Sequence, residues 1–504
     1  MRLKHLLLIL FVLPQTLFSQ NVILKGNVPE YAGVKITFYT YSDFITLTEK
    51  ELCTAVVETN GSFECSFSAD KIKYVFIKLG VYEAFIFAEP NKQYELLLPE
   101  RKDKTIADEL NPYFKPIQYH LGISNITETD LNYQLAFFDE IYSGLINESL
   151  YSTYSELKER NVDSKLNKVD TVFSQKAYSR AINNSTYFIY NNLKDLDATG
   201  EFNKIDSIFS DVNSKFFHDF KKYKLALFLY SSNREKSKSI SNNYYLDNEV
   251  LYQNPAYMSL FNQVYQDYFT YFGRTDNGKK IYNDINKLGS YSSLCTTLRQ
   301  DSILQNDTLK ELVILKCLYD EFYKDKFSRK GLLSILDSLE ISTKNEEHKL
   351  IANNIKEKAT KLLVGYNPPN FKLYDKDSNL VSLDTYRGKY VYLGFCTTMS
   401  YGCIKEFKML EGLYENHKDH FEIVMICLDE TIDQMKFFVE NEGYSFTFLH
   451  YGNQAEVFKD YDIRAFPTYY FIDPNGKLSL SPAPSPDQNA EFVIFKKMRA
   501  NGDI

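Results

Sequence analysis

At 504 residues the chain is too long for one ordinary core and points to two to four domains. Apolar residues make up 44% and charged residues 25%, which excludes wholesale disorder, while 40 Tyr and 38 Phe without any Trp point to aromatic packing between helices. A net charge of −8 disfavours nucleic acid as a partner, because that binding rests on basic patches that neutralise phosphates.

The first residues, MRLKHLLLILFVLPQTLFSQ, combine a basic start, an apolar stretch from Leu6 to Leu13 and a short polar exit. This is the pattern of a secretory signal peptide over 1–19, with cleavage after Ser19. The apolar run falls short of the roughly 20 residues a helix needs to cross a bilayer, and no later segment comes closer. No cysteine lies near the cleavage point to carry a lipid, so the expectation is an exported, soluble protein of the periplasm or cell envelope without a transmembrane segment. Seven cysteines, at 53, 65, 295, 317, 396, 403 and 427, are too few for a disulfide-stapled scaffold, and their odd number leaves at least one unpaired. In an oxidising compartment each is expected to be buried, paired or used.

From 21 to 101 the pattern is short alternating runs, and Asn60-Gly61 between two of them is a strong hairpin signal. A small antiparallel β domain follows. Cys53 and Cys65 flank that hairpin, either as a disulfide or as two small buried residues. From 104 to 364 the period becomes helical: Leu315, Leu318, Tyr319 and Phe322 make one apolar stripe, and Leu332, Ile335, Leu336 and Leu339 another. We expect an irregular all-α domain without a fixed-period repeat, with Cys295 and Cys317 in its core. YNPPN then forces an extended chain and marks a boundary. From 367 to 504 strand-like runs (KYVYLGF, FEIVMIC, SFTFLHY, TYYFID) alternate with helical ones. That alternation implies an α/β fold whose sheet is partly parallel and covered on both faces.

Residues 367–504 resemble the TlpA-like branch of the thioredoxin superfamily, which includes exported thiol–disulfide oxidoreductases. NPPNFKLYDKDSNLVSLDTYRGKYVYLGF looks like the opening hairpin and first core strand of that family, and AFPTYYFIDPNGK like its proline-bearing strand. The resemblance implies a thioredoxin-like fold with Pro467 as the cis-proline facing the active thiol. The N-terminal β domain and helical middle resemble the architecture that precedes such modules in exported Gram-negative proteins. The family motif reads roughly F-W-A-x-W-C-x-x-C-x-x-E, and FCTTMSYGCIKE aligns with it without a gap. Phe395, Cys403 and Glu406 match, whereas Cys396 and Met399 replace the tryptophans and Ser400 replaces the nucleophilic cysteine, a degenerate S-x-x-C motif. Gly394 stands where thioredoxin itself carries a buried carboxylate.

Thiol–disulfide exchange needs an exposed thiolate and a second thiol to release the mixed disulfide. Serine cannot serve as the first, and it suits an N-cap instead. Three readings of the site follow. Cys403 keeps a redox role with Cys396 or Cys427, whose strands end side by side in this fold. Alternatively Ser400 and Cys403 form a peroxiredoxin-like pair, with Cys403 reducing peroxide and Arg464 reaching over to lower its pKa. In the third the domain is a non-catalytic binding or scaffold module with buried cysteines. The partner implied by the resemblance is a protein thiol or disulfide in the cell envelope; no cofactor and no metal is expected.

His417 and His420 share a helix face, but a solvated helix end is favoured over a metal site. Asp429 and Glu430 read as residues that cap the following helix and offset its dipole. Asn125, Asn147, Asn184 and Asn306 match a glycosylation tripeptide that is too common in such a chain to be informative.

Overall fold

Alternating apolar residues set the first strands: along β1 (Asn21–Asn27) Val22 and Leu24 point inward, and along β2 (Lys35–Tyr41) Ile36, Phe38 and Thr40 do. The computed structural model describes residues 21–111, 113–159 and 198–502, so the signal peptide expected over 1–19 and the Asn184 tripeptide lie outside the described residues. After β3 (Glu49–Val56), β4 (Ser62–Ser68), β5 (Lys73–Leu79), β6 (Tyr82–Ala88), β7 (Gln93–Leu97), β8 (Ile117–His120) and β9 (Gly122–Ile123), the strands form two sheets, in the orders β4-β1-β7-β9 and β3-β2-β5-β6-β8. Pairing is antiparallel except between β1 and β7 and between β6 and β8. Val22, Leu24, Phe38, Phe63, Ile77 and Tyr94, drawn from both sheets, share one core.

The Asn60-Gly61 turn forms as its chemistry dictates, with Gly61 at φ +86° and the Asn60 side chain accepting from Ser62 N–H at 2.8 Å. Its two strands, however, enter different sheets rather than pairing as a hairpin. Cys53 on β3 and Cys65 on β4 are joined by a disulfide, so the pairing alternative holds and the bond stitches one sheet to the other.

Helices follow at α1 (Leu131–Glu159), α2 (Ala198–Ile208), α3 (Lys215–Ser231), α4 (Pro255–Val264), α5 (Tyr291–Leu298), α6 (Asp307–Phe322), α7 (Arg329–Ser342) and α8 (Glu346–Thr360). Ser214, Asn254, Ser290, Asn306, Ser328 and Asn345 cap α3 to α8 in turn through their side chains. The stripe Leu332, Ile335, Leu336 and Leu339 is buried throughout, as is Cys317, while Cys295 is half-buried. By contacts the chain divides into two compact units, one of residues up to Asp103 with Pro116–Tyr265, the other of Lys104–Lys115 with Gln266 onward. The helical span over 104–364 is thus shared between them.

The C-terminal domain is the thioredoxin-like α/β fold. Its strands are β10 (Lys372–Asp375), β11 (Leu380–Ser382), β12 (Tyr390–Cys396), β13 (Phe421–Cys427), β14 (Thr447–His450), β15 (Thr468–Ile472) and β16 (Leu478–Ala483), in the order β11-β10-β14-β13-β12-β15-β16. β12, β13 and β14 run parallel to one another, and β15 runs antiparallel to β12. Every residue of β12 is buried, as a central strand covered on both faces requires. Helices α9 (Tyr401–His417), α10 (Ile432–Glu442) and α12 (Ala490–Asn501) cover one face through Phe407, Leu410, Met435, Val439 and Ile494. The other face packs Phe371, Leu393, Val424 and Ile426 with Phe458 of α11 (Glu456–Asp460). No described helix is long and apolar enough to cross a membrane.

Candidate thiol site

β12, β13 and β14 end level with one another, and their register sets Cys396 opposite Cys427 and Cys427 opposite His450. Three chemically capable side chains therefore stand in a row at the carboxyl edge of the sheet. The sulfurs of Cys396 and Cys427 are 3.2 Å apart, and both residues are 0% exposed. Cys403, one turn into α9, is also fully buried and joins the same apolar cluster. Register and helix phase thus bring together the three cysteines singled out from the sequence.

Ser400 occupies the N-cap position of α9, but its hydroxyl makes no capping bond. It faces the Cys403 sulfur instead, together with the Thr397 N–H. The expected capping role is corrected accordingly: the hydroxyl is turned to the sulfur, and its oxygen accepts from none of the first-turn amides. Pro467 follows a cis peptide bond after Phe466 and is half-exposed, as the family resemblance implied. Outside the buried thiols, Met399 and Tyr401 flank Ser400 at 75% and 83% exposure.

Burial pushes all three thiols above their ordinary range. At 3.2 Å either thiol of the Cys396–Cys427 pair can donate its S–H to the other. Ser400 and Thr397 act against burial at Cys403 without overcoming it. Arg464, the cation a peroxidase would need beside Cys403, is exposed and paired with Asp462 at 3.0 Å. The groups that act on the Cys403 thiol are Thr397, Ser400, Cys427 and Glu406, and Arg464 is not among them.

Two residues at this edge, Asp429 beside the row and His450 within it, make contacts that the sequence reading did not anticipate. Asp429, 2% exposed, accepts through Oδ1 from the Thr397 hydroxyl at 3.0 Å and from the Thr398 N–H and hydroxyl at 2.9 Å each. It does not cap α10, whose cap is Thr431. His450 donates from Nε2 to the Asp429 carbonyl at 2.8 Å and accepts at Nδ1 from the Gly452 N–H at 3.1 Å, which fixes a neutral tautomer. The clue available beforehand was two adjacent threonines, Thr397 and Thr398, that needed an acceptor.

Glu406 is buried and accepts from the Tyr469 hydroxyl at 2.7 Å; burial raises its carboxyl above the usual range. Gly394 has no room for a carboxylate, because a Cβ there would collide with Met425 and Tyr469. His417 pairs with Glu491 at 2.8 Å, and among the described residues no group of three or more His, Cys, Asp and Glu is arranged to hold a metal ion.

The AhpC/TSA family profile matches residues 364–481. The thiol-disulfide oxidoreductase ResA of Bacillus thuringiensis is 31% identical over 122 residues, which is 24% of this chain and 70% of that protein. ResA of Oceanobacillus iheyensis is 33% identical over 133 residues, 25% of this chain and 69% of that protein. Among solved structures, the thioredoxin domain of a thiol-disulfide oxidoreductase from Bacteroides vulgatus is 26% identical, covers 26% of this chain and 96% of its own, and superposes with a TM-score of 0.25.

Proposed function

The chain belongs, through its C-terminal domain, to the thioredoxin-like family of thiol–disulfide oxidoreductases, and from that premise we propose that it exchanges electrons with protein thiols through a displaced couple, Cys396 and Cys427, with Cys403 as the entry thiol. The observation that carries this reading is the 3.2 Å contact between the Cys396 and Cys427 sulfurs. Neighbouring parallel strands hold the two within the reach that disulfide formation needs. The signal-like leader supports work in the cell envelope, where a protein disulfide is the available oxidant.

In the reducing direction the Cys403 thiolate attacks a partner disulfide, forming a mixed disulfide and releasing one partner thiolate. Cys427 then attacks the Cys403 sulfur and expels the second partner thiolate, and Cys396 attacks Cys427 to leave the 396–427 disulfide with Cys403 reduced. The partner gains two electrons and two protons, which the domain gives up. Ser400 takes no part in bond exchange and donates its hydroxyl to the Cys403 sulfur.

A second reading, peptide binding without exchange, is favoured by the burial of all three thiols beneath an exposed Met399 and Tyr401. Single-turnover reduction of a fluorescent peptide disulfide separates the two. The exchange reading expects one equivalent reduced by the wild type and none by Cys403→Ala or Cys427→Ala, while Cys396→Ala reduces one equivalent and stops at a 403–427 disulfide. Binding of the peptide with no reduction by any form selects the second reading.

A further inference from the structure

We propose that Asp429 is the positioning residue of this site: one carboxylate oxygen latches the 397–400 turn over the thiols, and the carboxylate thereby decides when Cys403 can be reached. Its functional weight rests on the thiol-exchange reading, but the latch itself does not. The turn is the only chain between the end of β12, at Cys396, and the start of α9, at Tyr401. Three of its hydrogen bonds converge on a single atom, Asp429 Oδ1, with donors at 3.0, 2.9 and 2.9 Å. A charged acceptor makes such bonds stronger than neutral ones.

The latch has a fixed base. The Asp429 carbonyl is held by His450 of β14, and the backbone next to it is laced to β12 through Leu428 N–H on the Cys396 carbonyl at 2.9 Å. The second oxygen, Oδ2, is buried with no hydrogen-bond partner. Burying a carboxylate oxygen unpaired is costly, and a role confined to tying down a turn does not require it, since an asparagine or a serine supplies the same acceptor without charge. The carboxylate is also within electrostatic reach of both Cys396 and Cys427. A negative group there adds to the burial that already opposes thiolate formation at Cys396 and Cys427.

The test is the rate of iodoacetamide labelling of native Cys403, resolved by mass spectrometry, in the full chain. Asp429→Ala should label about tenfold faster or more than the wild type, the factor that hydrogen bonds to a charged group are worth. Asp429→Asn keeps the Oδ1 acceptor and should stay within about threefold of the wild type, a rescue that loss of stability alone does not produce. Tyr469→Phe, which weakens the same domain from another place, should leave the rate unchanged. Should Asp429→Ala fail to fold, Thr397→Val with Thr398→Val removes two of the donors and should accelerate labelling in the same direction. Equal rates for the wild type and the alanine or double-valine variant overturn the latch, as does an equal acceleration in Tyr469→Phe. If the wild type reduces no disulfide while Asp429→Ala exposes Cys403, the exchange reading fails and the latch stands.

Discussion

Cys396 and Cys427 meet sulfur to sulfur at 3.2 Å between the carboxyl ends of two parallel strands, and neither is exposed. A thioredoxin-like fold ordinarily offers its thiol at the helix start; here that place is taken by Ser400, and the three sulfur-bearing residues are fully buried. Burial has a direct chemical consequence, because all three thiols are held protonated at neutral pH.

The first prediction concerns pH. Native labelling of Cys427 should be slow at about pH 7.5 and rise only above the ordinary thiol range near about 8.5, because burial raises this thiol. For stability the raised folded-state values mean that the thiols' contribution is fully present below the unfolded-state value and is lost as pH climbs through the folded one. Thermal melts at pH 7 and pH 10 should therefore show a loss at the higher pH that shrinks in Cys427→Ala.

Restoring the missing nucleophile is the second. Ser400→Cys places an accessible thiol at the N-terminus of the 17-residue helix α9 and recreates the two-residue spacing to Cys403. A helix N-terminus lowers a thiol by a unit or more, so the new residue should label at pH 7 about tenfold faster than a free cysteine. Insulin reduction with dithiothreitol, followed by turbidity, should be far faster with this variant than with the wild type. No gain would mean that the 397–400 turn holds residue 400 away from partners.

Tyr469 supplies the hydroxyl to a carboxyl that is otherwise buried, at Glu406, and it stacks on Tyr392 with ring centroids 4.9 Å apart. Tyr469→Phe keeps the ring and removes the donor, at a cost of about 1–3 kcal/mol for the acceptor left unsatisfied. Urea unfolding of the full chain, read by the transition of this domain, measures it.

In the β domain, Cys53–Cys65 closes a short loop of sequence separation 12 between two sheets. Replacing both by alanine should cost about 3 kcal/mol on the loop-entropy scale. The melting temperature of that variant should match the wild type under reductant and fall below it without reductant.

What was legible in the sequence followed local physics. KYVYLGF reads as a central strand because a run apolar on both faces has no other stable place, and Tyr390–Cys396 is that strand. The cis bond before Pro467 and the helix starting after Ser400 were carried by the motif. The misreadings came from tertiary partners that local pattern does not name. Asn60-Gly61 specifies a turn but not which sheets its strands join, and two sheets separate there. Ser400 marks the helix start, yet its hydroxyl turns to a sulfur one turn on. Asp429 looked like a helix cap because it precedes a helix, whereas its carboxylate reaches back 31 residues to Thr398. The grouping of Lys104–Lys115 with Gln266 onward leaves no trace in local periodicity.

The most direct test of the displaced couple is disulfide mapping of the protein equilibrated with excess oxidised dithiothreitol or diamide, trapped in acid, digested without reductant and read by mass spectrometry. The account predicts a peptide pair linked through Cys396 and Cys427, formed equally in Cys403→Ala and reversed by reductant. Recovery of all three C-terminal cysteines as free thiols, labelled only after unfolding, would contradict it and leave the domain a binding module.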